Sequence, residues 1–257
     1  MSYVLSPRQC SQTGVRTPDR VIGGITGRPP RQSTVGSEDC LNLAVFSPNL
    51  RPKKLMPVIV FIHGGAFFIG SYTVYGPQYL LDHDVVLVNI HYRLSGLGFL
   101  CLNTKESSSN VGLLDQVLAL KWVQKHIRSF GGDPNRVTIF GESAGSISGS
   151  YLLSSPVASG LFRNAILSSG SSLGQFFVND KPYENAMVLG HKLGCPVGPD
   201  TEQTVRCLKY SRSKDQIIDA VSAIRETNIA SLTSLGSETS PCNDRNFYQV
   251  RSVIFYH

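Results

Sequence analysis

The stretch Val137-Thr-Ile-Phe-Gly-Glu-Ser-Ala-Gly145 decides the fold of this chain. Its first four residues form an apolar run that predicts a buried strand, and residues 145–153 predict a helix that begins directly after it. The pattern G-x-S-x-G lies between the two, and a turn this sharp needs small residues around its serine. The stretch therefore predicts Ser143 as a nucleophile whose hydroxyl stands at the carboxyl end of a sheet. A structural serine in a tight turn is the alternative, which the flanking strand and helix disfavour.

Other apolar runs predict the rest of the sheet. Most of them lack the alternation of a half-exposed strand, which is typical of strands buried on both faces of a parallel sheet. The strand candidates are residues 41–46, 57–63, 85–91, 137–140 and 165–169. The helix candidates are residues 112–129, 145–153, 201–210 and 214–224, whereas 11–37 and 231–245 are expected to be loops and 247–257 an apolar segment. This alternation predicts an α/β fold with a mostly parallel central sheet and helices on both faces.

A second candidate for a chemical role is the turn His63-Gly-Gly-Ala-Phe67, which follows the strand candidate 57–63. Acyl transfer creates an oxyanion, which is stabilised by backbone N–H groups that are already aimed at it. Glycine lets the backbone come close to a substrate. We therefore assign the donors to the N–H groups of Gly65, Ala66 and Ala144. A loop that only needs positive φ is the alternative, and the G-x-S-x-G turn downstream makes it less favoured.

The positive charge of the chain is concentrated near its beginning. The net charge is +6, and residues 1–60 hold eight Lys or Arg against three Asp or Glu, which leaves +5 there. A basic arm can bind nucleic acid or an anionic surface. These charges are scattered among Pro, Gly, Ser and Thr without interleaved aromatic residues, so we favour a solvated loop and expect no nucleic-acid partner.

The six cysteines leave several pairings open. Cys10 and Cys40 are thirty residues apart and Cys195 and Cys207 twelve, separations that suit loop-closing disulfides. Spacing alone cannot establish pairing, and buried free thiols are the alternative. The sequence contains no H-E-x-x-H and no paired C-x-x-C, so we expect no metal and no cofactor. It also has no apolar run long enough to span a membrane, and no signal peptide is visible at its start.

Six segments together resemble the type B carboxylesterases of the cholinesterase superfamily, and most of all the insect carboxylesterases. They are residues 37–43 (SEDCLNL), 61–67 (FIHGGAF), 84–94 (DVVLVNIHYRL), 110–116 (NVGLLDQ), 130–134 (FGGDP) and 137–145 (VTIFGESAG). The resemblance covers about residues 10–210. It implies a partial α/β-hydrolase fold and the hydrolysis of a small-molecule carboxylic ester through an acyl-enzyme.

The resemblance also implies roles for single residues. Ser143 matches the nucleophile of the family, and Glu142 matches the acidic neighbour that tunes the site electrostatically. Arg93 and Asp133 match a structural ion pair, and Trp122 is expected in the core. The disulfides of the family fall on Cys10–Cys40 and Cys195–Cys207, and the aromatic residues expected around an acyl pocket are Phe67, Phe68 and Tyr72.

The chain departs from the family in ways that bear on activity. The family triad continues after the serine with a Glu and then a His, the general base. His191 is expected in a helix near Cys195 and His257 is the last residue, so neither fits that role. We therefore expect residues 1–257 to form a single incomplete domain, with a divergent tail at 226–257 and little activity. Ser95 and Cys101 stand where the family usually has Gly and Ser.

Two other interpretations stay open at this point. One is a non-catalytic adhesion or binding protein built on the cholinesterase fold, although such proteins commonly replace the nucleophile that this chain keeps. The other is a non-functional fragment. The resemblance implies a secreted, extracellular parent protein, and nothing in the sequence indicates an oligomeric state.

Overall fold

The computed structural model describes residues 2–4, 8–14, 33–102, 104, 108–174, 179–231 and 240–242. The strands within these ranges are β1 Ser2–Val4, β2 Gln12–Gly14, β3 Ser33–Val35, β4 Leu43–Phe46, β5 Met56–Ile62, β6 Val86–Ile90, β7 Gly132–Glu142 and β8 Asn164–Ser168. Six of them form one sheet, in the order β1-β4-β6-β5-β7-β8. The other two, β2 and β3, form a separate two-stranded hairpin.

The central sheet is mostly parallel, as the sequence predicts. Strands β6, β5, β7 and β8 are mutually parallel, while β1 and β4 join the β6 edge in antiparallel pairs. The register places Val60 opposite Ile139, and both are fully buried, whereas their neighbours Ile59 and Thr138 are only half-buried. The sheet therefore has one deeply buried face, which holds the main core.

The predicted helices begin close to their predicted positions, but the helix expected at 214–224 extends to Ser231. The described helices are α1 Ser95–Phe99, α2 Val111–His126, α3 Ala144–Ser154, α4 Pro182–Lys192, α5 Thr201–Ser211 and α6 Lys214–Ser231. Helix α3 packs on β5, β7 and β8, and α2 contacts both α3 and β7. The short α1 was not predicted from the sequence, and of α4 only the helical position of His191 was predicted. None of the described helices is long and apolar enough to cross a membrane.

The opposite face of the sheet carries 3₁₀ helices and open apolar surface. The 3₁₀ helix Tyr72–Val74 lies over β6, where the Asn89 side chain donates to the carbonyl oxygens of Tyr72 and Tyr75 at 3.2 and 2.9 Å. Phe61 and Phe140 meet edge to face beside them, with ring centroids 5.4 Å apart. Further along this face, Ile166 on β8 is 48% exposed.

A smaller helical layer packs beside the sheet. Helix α6 contacts α1, α4 and the β2–β3 hairpin, and its buried residues share a second apolar cluster with α4 and α5. The hairpin corrects the expectation that 11–37 is all loop, because the two ends of that segment pair as strands. Residues 15–32 between them lie outside the described residues, as do most of the expected loop 231–245 and all of 247–257.

Three disulfides link the described residues, and the sequence indicated two of them. Cys10–Cys40 and Cys195–Cys207 are present, as the resemblance implies. The third, Cys101–Cys242, joins residues 141 positions apart and was not predicted. The side chain of Asn110 lies beside it, accepting from the Cys242 N–H at 2.9 Å and donating to the Cys242 carbonyl at 3.0 Å. Residues 240–242 are therefore held both covalently and by hydrogen bonds.

The expected ion pair of Arg93 with Asp133 is wrong. Arg93 instead forms a forked pair with Asp115 on α2, at 2.8 and 2.7 Å, and the Asp115 carboxylate also accepts from the Arg93 backbone N–H. Asp133 accepts from the N–H of Asn135 and so closes its own turn at the start of β7. Trp122 packs against Phe130 at the border of the core, as predicted.

Candidate active site

Ser143 occupies a strained corner between β7 and α3. Its φ of 53° and ψ of −119° are unusual for a residue with a side chain, and such strain is often found at functional sites. We call this corner, residues 141–145, the elbow. A Cβ on Gly145 would overlap the carbonyl oxygen of Ile62, so the elbow fits against β5 only because residue 145 is glycine. Ser143 is half-buried and remains open to solvent. The elbow therefore presents a reachable hydroxyl at the carboxyl end of the sheet.

The end of β8 supports the elbow from the other side. The Ser143 N–H donates to the carbonyl of Ser168 at 2.9 Å, and the Ser146 hydroxyl donates to the carbonyl of Gly170 at 2.6 Å. Helix α3 begins at Ala144, so its N-terminal turn lies directly behind the serine. The partial positive charge of a helix N-terminus favours negative charge that develops at this point.

The 63–67 turn lies against the elbow. A Cβ on Gly64 would stand 3.0 Å from the Cβ of Ser143, so the two turns touch. Gly65, Ala66 and Phe67 all have positive φ, at 106°, 54° and 60°. Three successive residues in this uncommon conformation make a tight coil, which the Phe68 and Ile69 N–H groups close by donating to the Gly65 carbonyl at 3.0 Å. The structure thus brings together the two motifs that the sequence predicts to cooperate.

Contacts from two distant segments hold the 63–67 turn in place. The Tyr92 hydroxyl donates to the carbonyl of His63 at 2.8 Å, and the Ser95 N–H donates to the carbonyl of Phe67 at 2.8 Å. Gln12 on β2 clamps the end of the turn, because its amide accepts from the Gly70 N–H at 2.6 Å and donates to the Gly70 carbonyl at 2.9 Å. Two of the three proposed oxyanion donors, Gly65 and Ala66, therefore belong to a turn that is held by hydrogen bonds from distant residues.

The two buried histidines near the site are electrically neutral near pH 7. His63 stacks on Tyr92 with ring centroids 4.5 Å apart, and burial lowers its pKa to about 4, partly offset by its hydrogen bond to the Gly64 carbonyl. Burial, and secondly the nearby His63, lower the pKa of His91 to about 3. His91 also bonds the Ser71 hydroxyl at 3.1 Å. Among the described residues, no histidine forms a hydrogen bond with the Ser143 hydroxyl.

Glu142 borders both turns. Its carboxylate lies 2.5 Å from where a Cβ on Gly64 would stand, so the acid is adjacent to the 63–67 turn. Burial, and secondly the nearby charge of Glu142, raise the pKa of the Tyr92 hydroxyl above its usual range. Tyr92 therefore stays protonated and keeps its hydrogen bond to His63. The described residues include no group of three or more His, Cys, Asp or Glu that could hold a metal ion.

The aromatic residues expected around an acyl pocket lie in different environments. Phe67 is fully buried and meets Phe99 in the core at 4.9 Å between ring centroids. Tyr72 is buried against His91 on the other face of the sheet. Phe68 alone of the three remains partly exposed. The positive φ of Phe67 explains the division, because it sends successive side chains of the turn in different directions.

Sequence reasoning missed the residues that support the site. Gln12 stands 58 positions before Gly70, in a segment that reads as loop, and no local pattern joins the two. Tyr92 was noticed only as part of the segment 84–94 that resembles the family. A polar residue inside an otherwise polar loop carries no signal of its own, so Gln12 could not have been found from the sequence.

Comparisons with known proteins agree with the predicted fold. The sequence profile of the carboxylesterase family matches residues 6–250. Esterase E4 of Myzus persicae is 44% identical over 185 residues, 70% of this chain and 33% of that protein. Juvenile hormone esterase of Tribolium castaneum is 52% identical over 140 residues, 54% of this chain and 24% of its own. Cholinesterase 1 of Branchiostoma lanceolatum is 44% identical over 179 residues, 67% of this chain and 50% of its own. The chain thus spans half or less of the length of these relatives.

Proposed function

The chain belongs to the carboxylesterase family, and from that premise we propose that it carries the nucleophile and oxyanion half of a serine carboxylesterase site. The Ser143 oxygen attacks the carbonyl carbon of a small carboxylic ester, and the serine proton passes to a base. The N–H groups of Gly65, Ala66 and Ala144 stabilise the oxyanion. The C–O bond to the alcohol then breaks as the base gives that proton to the departing alcohol oxygen, and a water that loses a proton to the same base later releases the acid from the acyl-enzyme and returns the proton to Ser143.

One observation carries this proposal. It is the contact of the strained corner at Ser143 with Gly64, the residue directly before the coil of positive φ at 65–67, which supports a nucleophile and oxyanion donors that work together. Relatives named as esterases support the same chemistry. An intact serine at the corner argues against a purely adhesive role. Glu142, half-buried beside the turn, adds negative charge near the site.

The acid and base of the triad are proposed to come from polypeptide outside these 257 residues. The support is that no described histidine reaches Ser143, and that the two buried histidines near the site are held by other partners. In a well-studied serine protease, loss of the base lowers turnover about a millionfold. We therefore propose that residues 1–257 form a single incomplete domain, with 226–257 divergent. Three disulfides support an extracellular location.

Reaction with a fluorophosphonate, followed by peptide mass spectrometry, tests the nucleophile. We expect slow labelling confined to Ser143, because the Ser143 oxygen displaces fluoride from phosphorus without a strong base nearby. The variant S143A should take up no label, while S150A, which changes another serine on α3, should react like the parent chain. Equal labelling of S143A, or an adduct on a different serine, contradicts the proposal.

The same chain should hydrolyse a p-nitrophenyl short-chain ester only weakly. Turnover near that of a complete esterase would show that these residues contain their own base, and would contradict the proposed origin of the triad. That result would not contradict Ser143 as the nucleophile, because the S143A variant tests the identity of the nucleophile separately from the origin of the base.

A further inference from the structure

A groove lies on the outer side of α2, where this helix meets the chain that leads into β4. Its volume is about 470 Å³, which is within the range of small-molecule sites. Most of its lining is apolar and includes Leu41, Leu43, Leu118 and Trp122. None of the lining residues belongs to the elbow or to the 63–67 turn. We call it the α2 groove, and it is separate from the proposed catalytic site.

The packing of α2 leaves these apolar side chains without a partner in the core. The inner side of the helix is anchored by Leu120, which is fully buried, and by Gln116, which donates to the Ser148 hydroxyl at 3.0 Å. Leu118 lies on the outer side and is 58% exposed, and Trp122 beside it is half-buried. Apolar surface that is grouped in a groove on the outside of a protein is typical of a binding site.

Two lysines give the α2 groove a positive rim. Lys121 and Lys125 are one turn apart on α2, both are exposed, and both line the groove. Neither forms an ion pair within the part of the chain that the structure describes. Asp115 is the acidic residue of the lining, but its carboxylate is already held by Arg93 at 2.8 and 2.7 Å. The rim therefore offers cations that have no anion to pair with.

We propose that the α2 groove binds single-chain amphiphiles with an anionic head, such as fatty carboxylates. The alkyl chain would cover the exposed leucines and the indole of Trp122, which removes apolar surface from water. The carboxylate would pair with the ammonium groups of Lys121 and Lys125, which reach it on flexible stems. A cationic head would be repelled, and a neutral head would lack the pairing. The proposal goes beyond the proposed esterase function and does not depend on Ser143.

Trp122 reports on binding directly, because it is the single tryptophan of the 257-residue sequence. The chain is titrated with dodecanoate below its micelle concentration while the tryptophan emission is recorded. We expect a saturable change, and stronger quenching by the ω-bromo analogue, whose heavy atom quenches an indole that it contacts. Dodecanol, which has the same chain but no charge, should bind about tenfold more weakly.

The lysine variant K121Q/K125Q tests the charged rim. It should lower the preference for dodecanoate over dodecanol about fivefold and leave the Kd of dodecanol unchanged. The control K181Q/K192Q removes the same net charge from two exposed lysines at the ends of α4, and it should keep the preference. An unaltered preference in K121Q/K125Q, or an equal loss in the control, overturns the proposal.

The leucine variant L118Q tests the apolar lining. It should weaken dodecanoate and dodecanol alike, by about threefold, whereas L153Q should weaken neither, because Leu153 is exposed to a similar degree (56%) but lies on α3. The absence of a saturable emission change in the folded chain overturns the proposal. A second copy of the chain is the alternative occupant: a dimer in sedimentation that L118Q dissociates would also overturn it.

Discussion

Single atoms decide whether the elbow at Ser143 can form. At Gly145 there is no room for a methyl group, because a Cβ would overlap the Ile62 carbonyl oxygen. At Ser95 the conflict is milder: its φ is 56°, the residue is fully buried, and its hydroxyl has no hydrogen-bond partner among the described residues. Both positions lie on segments that contact the 63–67 turn or the elbow.

We predict that G145A lowers the free energy of unfolding by more than about 3 kcal/mol, since backbone must move to admit the methyl group. Urea denaturation measures the change. G198A is the control: a Cβ there meets nothing within 4 Å, so the substitution should cost at most about 0.5 kcal/mol. A G145A chain as stable as G198A would mean that the elbow is not built as described.

We predict the opposite sign for S95G, which should raise the free energy of unfolding by about 1 kcal/mol. Glycine relieves the positive φ, and the substitution removes a buried hydroxyl that lacks a partner. S169G tests φ alone, because Ser169 has a φ of 61° but is exposed, and it should gain less. A loss of stability in S95G would contradict this explanation.

The positions of the two turns that we propose for catalysis were predictable because their sequence signals are local. One signal is G-x-S-x-G between a strand and a helix, and the other is a glycine-rich turn after a strand. In each, the residues that determine the backbone conformation lie within a few positions of one another in the chain. The clamp of Gln12 on Gly70, the pairing of Arg93 with Asp115 and the ring contact of Arg225 with Phe68 were not predictable, because each joins segments far apart in the chain. Their partners are set by packing of α6, α2 and the hairpin, which no single segment encodes.

Among the elements, the segment 240–242 is held by a disulfide, by the Asn110 side chain and by the Asn179 N–H, which donates to the Pro241 carbonyl at 2.9 Å. Cys101 and Asn110 flank the chain before α2, and both hold Cys242. Cys101 stands where the resembling family usually has Ser, so neither the spacing nor the resemblance indicated this bridge. The strands β4 to β8 and the helices α2, α3, α5 and α6 were predicted from their apolar patterns, whereas the three-residue strands β1, β2 and β3 and the five-residue α1 are too short to be recognised.

We predict that the double variant C101S/C242S loses about 2–5 kcal/mol of unfolding free energy, because the bridge closes a long loop in the unfolded chain. Urea denaturation under oxidising conditions measures the loss. The twelve-residue loop of Cys195–Cys207 gives the comparison, and C195S/C207S should cost about 3 kcal/mol or less. No change in C101S/C242S, or free thiols at both positions in the parent chain, would contradict the bridge.

For the molecule as a whole, the buried histidines tie stability to pH. Burial lowers the pKa of His63 from 6.5 to about 4 and that of His91 to about 3. Below pH 6.5 these two histidines are therefore protonated in the unfolded chain but stay neutral in the folded chain until the pH approaches their lowered pKa values. Their neutral forms stabilise the fold fully above that pH, and this stability is lost as the pH falls towards the folded pKa values.

We predict that the free energy of unfolding falls between pH 7.5 and 5, with His63 contributing up to roughly 2 kcal/mol of the loss. Urea titrations across this range measure the slope. H63F should flatten it, whereas H83Q should not, because His83 is exposed. A slope that is identical in H63F and the parent chain would contradict the assigned pKa.

The most direct measurement is a crystal structure of the chain after phosphonylation of Ser143. The phosphoryl oxygen of the adduct stands where the oxyanion would form. We predict that this oxygen lies about 2.7–3.1 Å from the backbone nitrogens of Gly65, Ala66 and Ala144. A phosphoryl oxygen that points into solvent, with the 63–67 turn directed elsewhere, would contradict it.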